Sequence, residues 1–223
     1  MIHYIYEDDI GSVELIDHMG TDKSAVNAAR VSFLKDSKGK ELTARDKNLI
    51  NFLVGHKHTS PFEHMQATFR CTVPLFVRSQ VMRHRTFSYN EVSRRYTADN
   101  LQFWKPQVFR GQSKLNLQCS EGTTTEQETC HDLYNHCIAE TLKHYHSLLD
   151  KGVAREMARA ILPQALYTTF YMTGSVHNWV KFLKLRLDEH AQIETQLMAQ
   201  AIKQDLLELY PMTMKAMMGE DNG

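Results

Sequence analysis

Apolar periodicity changes its step several times along this chain, but never in the regular strand-helix-strand order that a parallel sheet requires. Residues 2 to 6 and 12 to 17 read as short strands. Asp22 to Phe33 carries alanines behind an acidic first turn and reads as a helix. Thr43 to Gly55 repeats the pattern: Thr43 can cap it, Leu49, Ile50, Phe52 and Leu53 form an apolar stripe, and Gly55 sits where it stops. Met65 to Val73 alternates and contains Thr, Phe and Val, which predicts a strand, and Pro74 suits the first turn of a helix reaching about Arg83. Further helices are expected over Thr124 to Leu149, from Ala154 to just before Pro163, over Val176 to Leu187 and over Ala191 to Tyr210. One more strand, Leu166 to Thr173, lies among them. Helices at both ends of a few strands point to an α+β fold with a small, mainly antiparallel sheet. Gln102 to Gly122, with Pro106, Gly111 and many polar residues, reads as a long loop or lid.

A chain of 223 residues that is 42% hydrophobic can bury a real core, and one domain over residues 1–223 is expected. Its 26 basic and 26 acidic side chains cancel. That balance argues against a general nucleic-acid or anionic-membrane binder, which needs many phosphate contacts on a basic surface. The N-terminus lacks a basic, then apolar, leader, and no apolar run approaches the roughly 20 residues that span a bilayer. A soluble, cytoplasmic protein is expected. Cys71, Cys119, Cys130 and Cys137 form no C-x-x-C pair and read as reduced, mostly buried thiols.

Against this neutral background, the run from Arg83 to Tyr96 holds four arginines and one histidine, with Glu91 as its only acid. Groups so crowded repel one another unless an anion or carboxylates neutralise them, so a small phosphate-bearing ligand is the first physical reading, with a solvated charged face as its competitor. Ser88 and Ser93 lie inside the run, but no G-x-S-x-G elbow surrounds either, and serines between arginines are more often phosphate ligands than nucleophiles. His56, His58, Glu63 and His64 admit a metal site, a capped turn or a ligand-lining loop. His131, His136, His144 and His146 along the long helix read as surface or interface residues. Arg155 and Arg159 are spaced to share a helix face, while Arg186 ends an apolar run. A phosphate-contacting RNA module, with Phe87, Tyr89 and Tyr96 stacking on bases, is the rival reading.

The run also carries a pattern. Arg83-His84-Arg85-x-x-Ser88-x-Asn90-Glu91-x-Ser93-x-Arg95-Tyr96 matches every fixed position of R-H-R-x-x-S-x-N-E-x-S-x-R-Y, the signature of the flavin-dependent thymidylate synthases. Four further blocks resemble that family in its order: Ser24-Ala25-Val26-x-Ala28-Ala29-Arg30-Val31-Ser32, His58-x-Ser60-Pro61-Phe62-Glu63-His64, Arg155-Glu156-x-Ala158-Arg159, and Phe182-Leu183-x-Leu185-Arg186 followed by His190-Ala191-Gln192.

The resemblance implies a homotetramer that binds FAD at subunit interfaces. It implies conversion of dUMP to dTMP, with 5,10-methylenetetrahydrofolate as carbon donor and NADPH supplying hydride through FAD, without a covalent enzyme nucleophile. Arg186 matches the position assigned to stabilising the uracil ring as its N3 proton leaves. Gln80, Arg83, Glu91, Val92, Ser93, Arg94, Arg95 and Arg159 are implied around dUMP. Ser60, Arg83, His84, Arg85, Asn90 and Glu91 are implied around FAD, with His58 near the flavin or folate ring. This chain has Ser175-Val176-His177 where some relatives show Asn-x-Arg, and Lys181 where a flavin-contacting Asn follows; by position, Ser175, His177 and Lys181 fall to FAD. Neither a metal nor a nucleic-acid or membrane partner is implied.

Overall fold

The computed structural model describes residues 1–34, 39 and 41–219. The chain enters as an antiparallel pair, β1 (Ile2–Tyr4) and β2 (Ser12–Met19), and leaves the sheet through helices α1 (Asp22–Arg30) and α2 (Ala44–Gly55). It returns as β3 (Gln66–Pro74), which passes without a linker into α3 (Leu75–Val81). Pro74 makes this possible: with φ −65° it closes the strand and stands at the helix N-cap, where no amide proton is needed. β4 (Ser88–Glu91), a small hairpin of β5 (Gly111–Gln112) and β6 (Ser120–Glu121), α4 (Gln127–Asp150) and α5 (Arg155–Ala158) follow. The chain closes with β7 (Tyr167–Ser175), α6 (Val176–Arg186), α7 (Ile193–Leu209) and α8 (Pro211–Met218). Five strands form one antiparallel sheet of order β1-β2-β3-β7-β4, as the α+β reading anticipates.

Strand alternation places the core. Ala67, Phe69 and Cys71 of β3 stand opposite Gly174, Met172 and Phe170 of β7, and all six are buried. Trp179, Phe182 and Leu183 of α6 and Met198, Ile202 and Leu206 of α7 belong to the same core. The other sheet face is polar, with Thr68 bonded to Thr173 at 2.9 Å and Thr72 to Thr169 at 3.0 Å. A smaller apolar cluster of Tyr145, Ala158, Leu162 and Leu166 ties α4 to the rest.

Gly174 marks the tightest point. A Cβ there would lie 2.4 Å from the ring of Phe87, which in turn rests on Trp179 at 4.5 Å between ring centroids. Gly174→Ala is therefore expected to lower stability by about 1–3 kcal/mol through overpacking. A denaturant midpoint equal to the parent's would show that Phe87 yields freely.

Several boundaries differ from the sequence reading. β4 was not anticipated, because its residues are polar and part of a ligand signature rather than of an apolar alternation. The 102–122 segment is not a plain loop: it holds the β5–β6 hairpin, and Phe103 bridges Leu166 while Trp104 N donates to Ala165 O at 2.9 Å. α2 does stop at Gly55 as read, and the left-handed residue of the turn that follows is Lys57 (φ 58°). Arg155 and Arg159 do not share one α-helix, since α5 tightens into a 3-10 turn at Arg159–Ile161. α8 was read as nothing separate, although Pro211 at its first turn was the available signal. Of the cysteines, all free, only Cys71 is buried; Cys119 and Cys130 are half-buried and Cys137 is exposed. Among the described residues no helix is long and apolar enough to cross a membrane.

Candidate active site

The signature folds as the turn and strand that follow α3. Tyr89 points inward, its hydroxyl within 3.1 Å of Val81 O and 3.0 Å of His84 O, so it holds the turn between α3 and β4 closed. Burial, then the nearby Cys71 thiol, pushes the Tyr89 phenol up to about 12, so it remains a donor. Phe87 is buried against Trp179. Two of the three aromatics that the RNA-module reading needs as base platforms are thus spent on packing; Tyr96 alone is exposed. Arg83, Arg85, Ser88 and Asn90 project to the surface.

At the far end of β4 a cavity of about 400 Å³ opens, lined by Glu91, Val92, Ser93 and Arg94 together with Arg159 and Thr168. Five residues implied for dUMP therefore meet, from segments more than sixty positions apart in the chain. Val92 is held by its amide, which donates to Thr169 O at 2.9 Å. Glu91 is fixed from both sides: Thr168 Oγ1 donates to Oε1 at 2.8 Å, and Arg78 Nε donates to Oε2 at 3.0 Å. Arg78 also lines the cavity, and sequence reasoning missed it. Its signal was a lone arginine in the otherwise apolar helix start Leu75-Phe76-Val77, five residues before the signature.

Arg94 hydrogen-bonds Asp99 O through NH1 at 2.9 Å, and its Nε is buried with no hydrogen-bond partner. Burial lowers its pKa, yet a guanidinium stays charged, so this group favours an anion. Ser93 Oγ accepts from the Arg95 amide at 3.3 Å, a turn role rather than a nucleophile's. Arg95 is exposed, 3.4 Å from Glu156, and does not line the cavity.

A second cluster surrounds Arg186 at the end of α6. Its Nε donates to His84 Nε2 at 3.0 Å and its NH2 to Gln80 O at 2.7 Å. Burial, then the Arg186 charge, pushes His84 down to about 4, so the imidazole is neutral and accepts. The His84 ring stands edge-on to Phe182 at 4.9 Å. Gln80 is half-buried, its amide bonded to Gln192 and Thr195.

A third group lies at the start of α6. Ser175 is the N-cap, its Oγ accepting from Asn178 N at 3.4 Å, and Asn178 Nδ2 reaches Thr86 O at 3.1 Å, so this helix start touches the Arg83–Phe87 turn. His177 is half-buried, its Nδ1 lacks a partner, and burial, then the Lys181 charge, lowers its pKa. Lys181 and Ser60 are exposed; Ser60 begins a short 3-10 turn, Ser60–His64, that packs on α6. His58 is also exposed, its amide donating to Leu53 O at 2.8 Å in the turn that ends α2. Among the described residues no three His, Cys, Asp or Glu side chains gather as a metal site. Within His56 to His64 the backbone forms a 3-10 turn with Pro61 in its first turn, and no side chain caps it.

The half-buried Arg78 and Arg94 and the exposed Arg159 give this cavity a basic lining, and its size suits a small anion. Residues 14–212 match the family described as thymidylate synthase complementing protein. The flavin-dependent thymidylate synthase of Thermus thermophilus is 44% identical over 208 residues, covering 93% of this chain and 76% of that one. The enzyme of Thermotoga neapolitana is 42% identical over 209 residues, covering 93% and 91%. Among solved structures, a UMP/dUMP methylase from Streptomyces cacaoi, bound with 5-Br dUMP, superposes with TM-score 0.85 at 31% identity, covering 93% and 94%. The chain belongs to the flavin-dependent thymidylate synthase family, whose members are flavoenzymes of the methyltransferase type.

Proposed function

We propose that this protein methylates dUMP to dTMP, taking the carbon from 5,10-methylenetetrahydrofolate and reducing equivalents from NADPH. The observation that carries the reading is the cavity that gathers Glu91, Val92, Ser93, Arg94 and Arg159 around one anion-suited space. Arg94 and Arg159 would supply the positive charge for the phosphate, with Arg83, Arg95 and Gln80 as further contacts of dUMP. A solved relative that holds 5-Br dUMP supports the same substrate class.

Carbon 5 of uracil is a weak nucleophile until the ring loses its N3 proton. Arg186 would stabilise that negative charge, a role supported by the orientation that His84 and Gln80 fix in advance. The cysteines support a route without a covalent enzyme nucleophile: Cys71 is buried in β3, which pushes its thiol up, and none of the four lines the cavity.

FAD would be held by Ser60, Arg83, His84, Arg85, Asn90, Glu91, Ser175, His177 and Lys181, with His58 beside a flavin or folate ring. The donor set suits an anionic dinucleotide: Arg83 and Arg85 are exposed on the turn whose Thr86 O accepts from Asn178, and the exposed Lys181 ammonium and the unpartnered Nδ1 of His177 lie on the same helix as Asn178. When bound, FAD supplies the hydride that it receives from NADPH. Exposed Leu115, Leu117 and Leu133 support self-association, for which a homotetramer is the reading, in the cytoplasm and without nucleic-acid or membrane partners.

Flavin-loaded protein is expected to form dTMP from dUMP when given methylenetetrahydrofolate and NADPH, read by chromatography of the nucleotide. Failure of a correctly assembled, yellow sample to form dTMP rejects the assignment.

A further inference from the structure

A line of polar side chains runs from the β5–β6 hairpin to Gln80 beside Arg186, and the members beyond Gln192, Glu194 and Arg110, have no role in the site described above. It begins at Arg110, whose Nε donates to Ser120 Oγ at 2.8 Å and whose NH2 lies 2.8 and 3.1 Å from the two carboxylate oxygens of Glu194. Glu194 stands in the first turn of α7 and its side chain is buried. Its Oε2 accepts from Gln192 Nε2 at 2.9 Å. Gln192 Oε1 accepts from Gln80 Nε2, and Gln80 Oε1 accepts from Thr195 Oγ1 at 3.2 Å. The backbone oxygen of the same Gln80 holds Arg186.

The chemistry of these groups gives the line a direction. A carboxylate only accepts, whereas a side-chain amide has one donating and one accepting end. With Glu194 at the head, Gln192 must turn its NH2 toward Glu194 and its oxygen toward Gln80, and Gln80 must then turn its NH2 toward Gln192. The orientation of an amide at the proposed nucleotide site is thus set by a carboxylate two links away. We propose that Glu194, supported by Arg110 and acting through Gln192, is a positioning residue that fixes the orientation of the Gln80 amide, and so the direction in which its remaining N–H and oxygen lone pair are offered to dUMP. This rests on the dUMP reading above.

A merely structural ion pair between Arg110 and Glu194 would predict a loss of stability and nothing more. The relay predicts a dependence on donor-acceptor polarity. Glu194→Gln leaves one acceptor where Arg110 and Gln192 both donate, so one of them meets an NH2 or the whole line reverses. Gln192→Leu cuts the line while leaving the Arg110–Glu194 pair in place. The double variant Glu194→Gln with Gln192→Glu moves the obligatory acceptor one link along, so Gln80 again donates to a carboxylate.

Calorimetric titration of dUMP into the full-length protein and these variants, alongside thermal melts, tests the proposal. Both single variants are expected to bind dUMP about tenfold more weakly, the loss of one well-placed hydrogen bond. The double variant is expected to recover to within about threefold of the parent, a rescue that lost packing alone does not produce. Parent-like affinity in Gln192→Leu overturns the proposal, as does a double variant no better than Glu194→Gln. Should Glu194→Gln not fold, Gln192→Leu and the double variant decide. A parent protein that binds no dUMP overturns the substrate reading and this proposal together; a parent that binds, with unaffected single variants, overturns this proposal alone.

Discussion

Arg186→Ala is expected to slow dTMP formation by about two to three orders of magnitude, the usual cost of removing one preorganised donor from developing negative charge. The reason lies in how little freedom the side chain has. His84 Nε2 and Gln80 O take one N–H each, which leaves the remaining donors of a half-buried guanidinium aimed as the fold dictates. His84 is suited to this task because, with its pKa pushed down to about 4, it stays an acceptor across the working pH range. Arg186→Lys is expected to restore little, since an ammonium keeps the charge but not the planar fork that meets both partners. Steady-state rates with a thermal melt of each variant provide the check. Near-normal turnover in a folded Arg186→Ala protein removes the residue from the mechanism.

Asp46→Ala is the second large effect, and it concerns stability rather than chemistry. Asp46 is fully buried and joins α1 to α2: it accepts from Lys23 Nζ at 2.8 Å, from Arg30 at 2.7 Å and from the Thr43 amide at 2.9 Å, while Thr43 Oγ1 accepts from its own amide at 3.2 Å. Removing it takes the carboxylate from the buried Lys23 ammonium, which otherwise donates to Glu41 O at 3.0 Å, and a loss of about 3–5 kcal/mol is expected in denaturant unfolding. Burial alone would raise this carboxyl, but the bonds from Lys23 and Thr43 and the charge of Arg30 override it and hold the pKa well below the ordinary range. A carboxyl that binds its proton more weakly when folded stabilises fully above its unfolded pKa of about 4 and loses that contribution as the pH falls. The parent should therefore lose stability below about pH 4 more steeply than the variant. Equal slopes would show that other carboxylates dominate acid unfolding.

The two effects illustrate what could and could not be read from residues alone. Thr43 was legible as a cap because its pattern is local, and β3 and β7 were legible because one face of each is buried and alternates. β4 was not, since its register comes from pairing with β7, with Glu91 opposite Phe170, and no apolar alternation records that. Glu91 to Arg94 could be named through a family signature and Arg159 through a later block, whereas Arg78 and Thr168 fall outside both and become visible only in the pairing of α3 and β7 with β4. The 102–122 segment was hardest. Its order derives from contacts distant in sequence, such as Trp104 on Phe76 and Arg110 on Glu194.

β7 has a consequence for how ligands can influence one another. Its first residues, Tyr167 and Thr168, floor the cavity, and its last, Ser175, caps the helix that carries His177 and Lys181. Seven residue steps at about 3.3 Å each set these ends roughly 23 Å apart. A strand hydrogen-bonded on both edges, to β3 and to β4, can neither stretch nor shorten. The strand therefore holds the spacing between the two zones nearly constant, and acts between them as a ruler rather than as a lever.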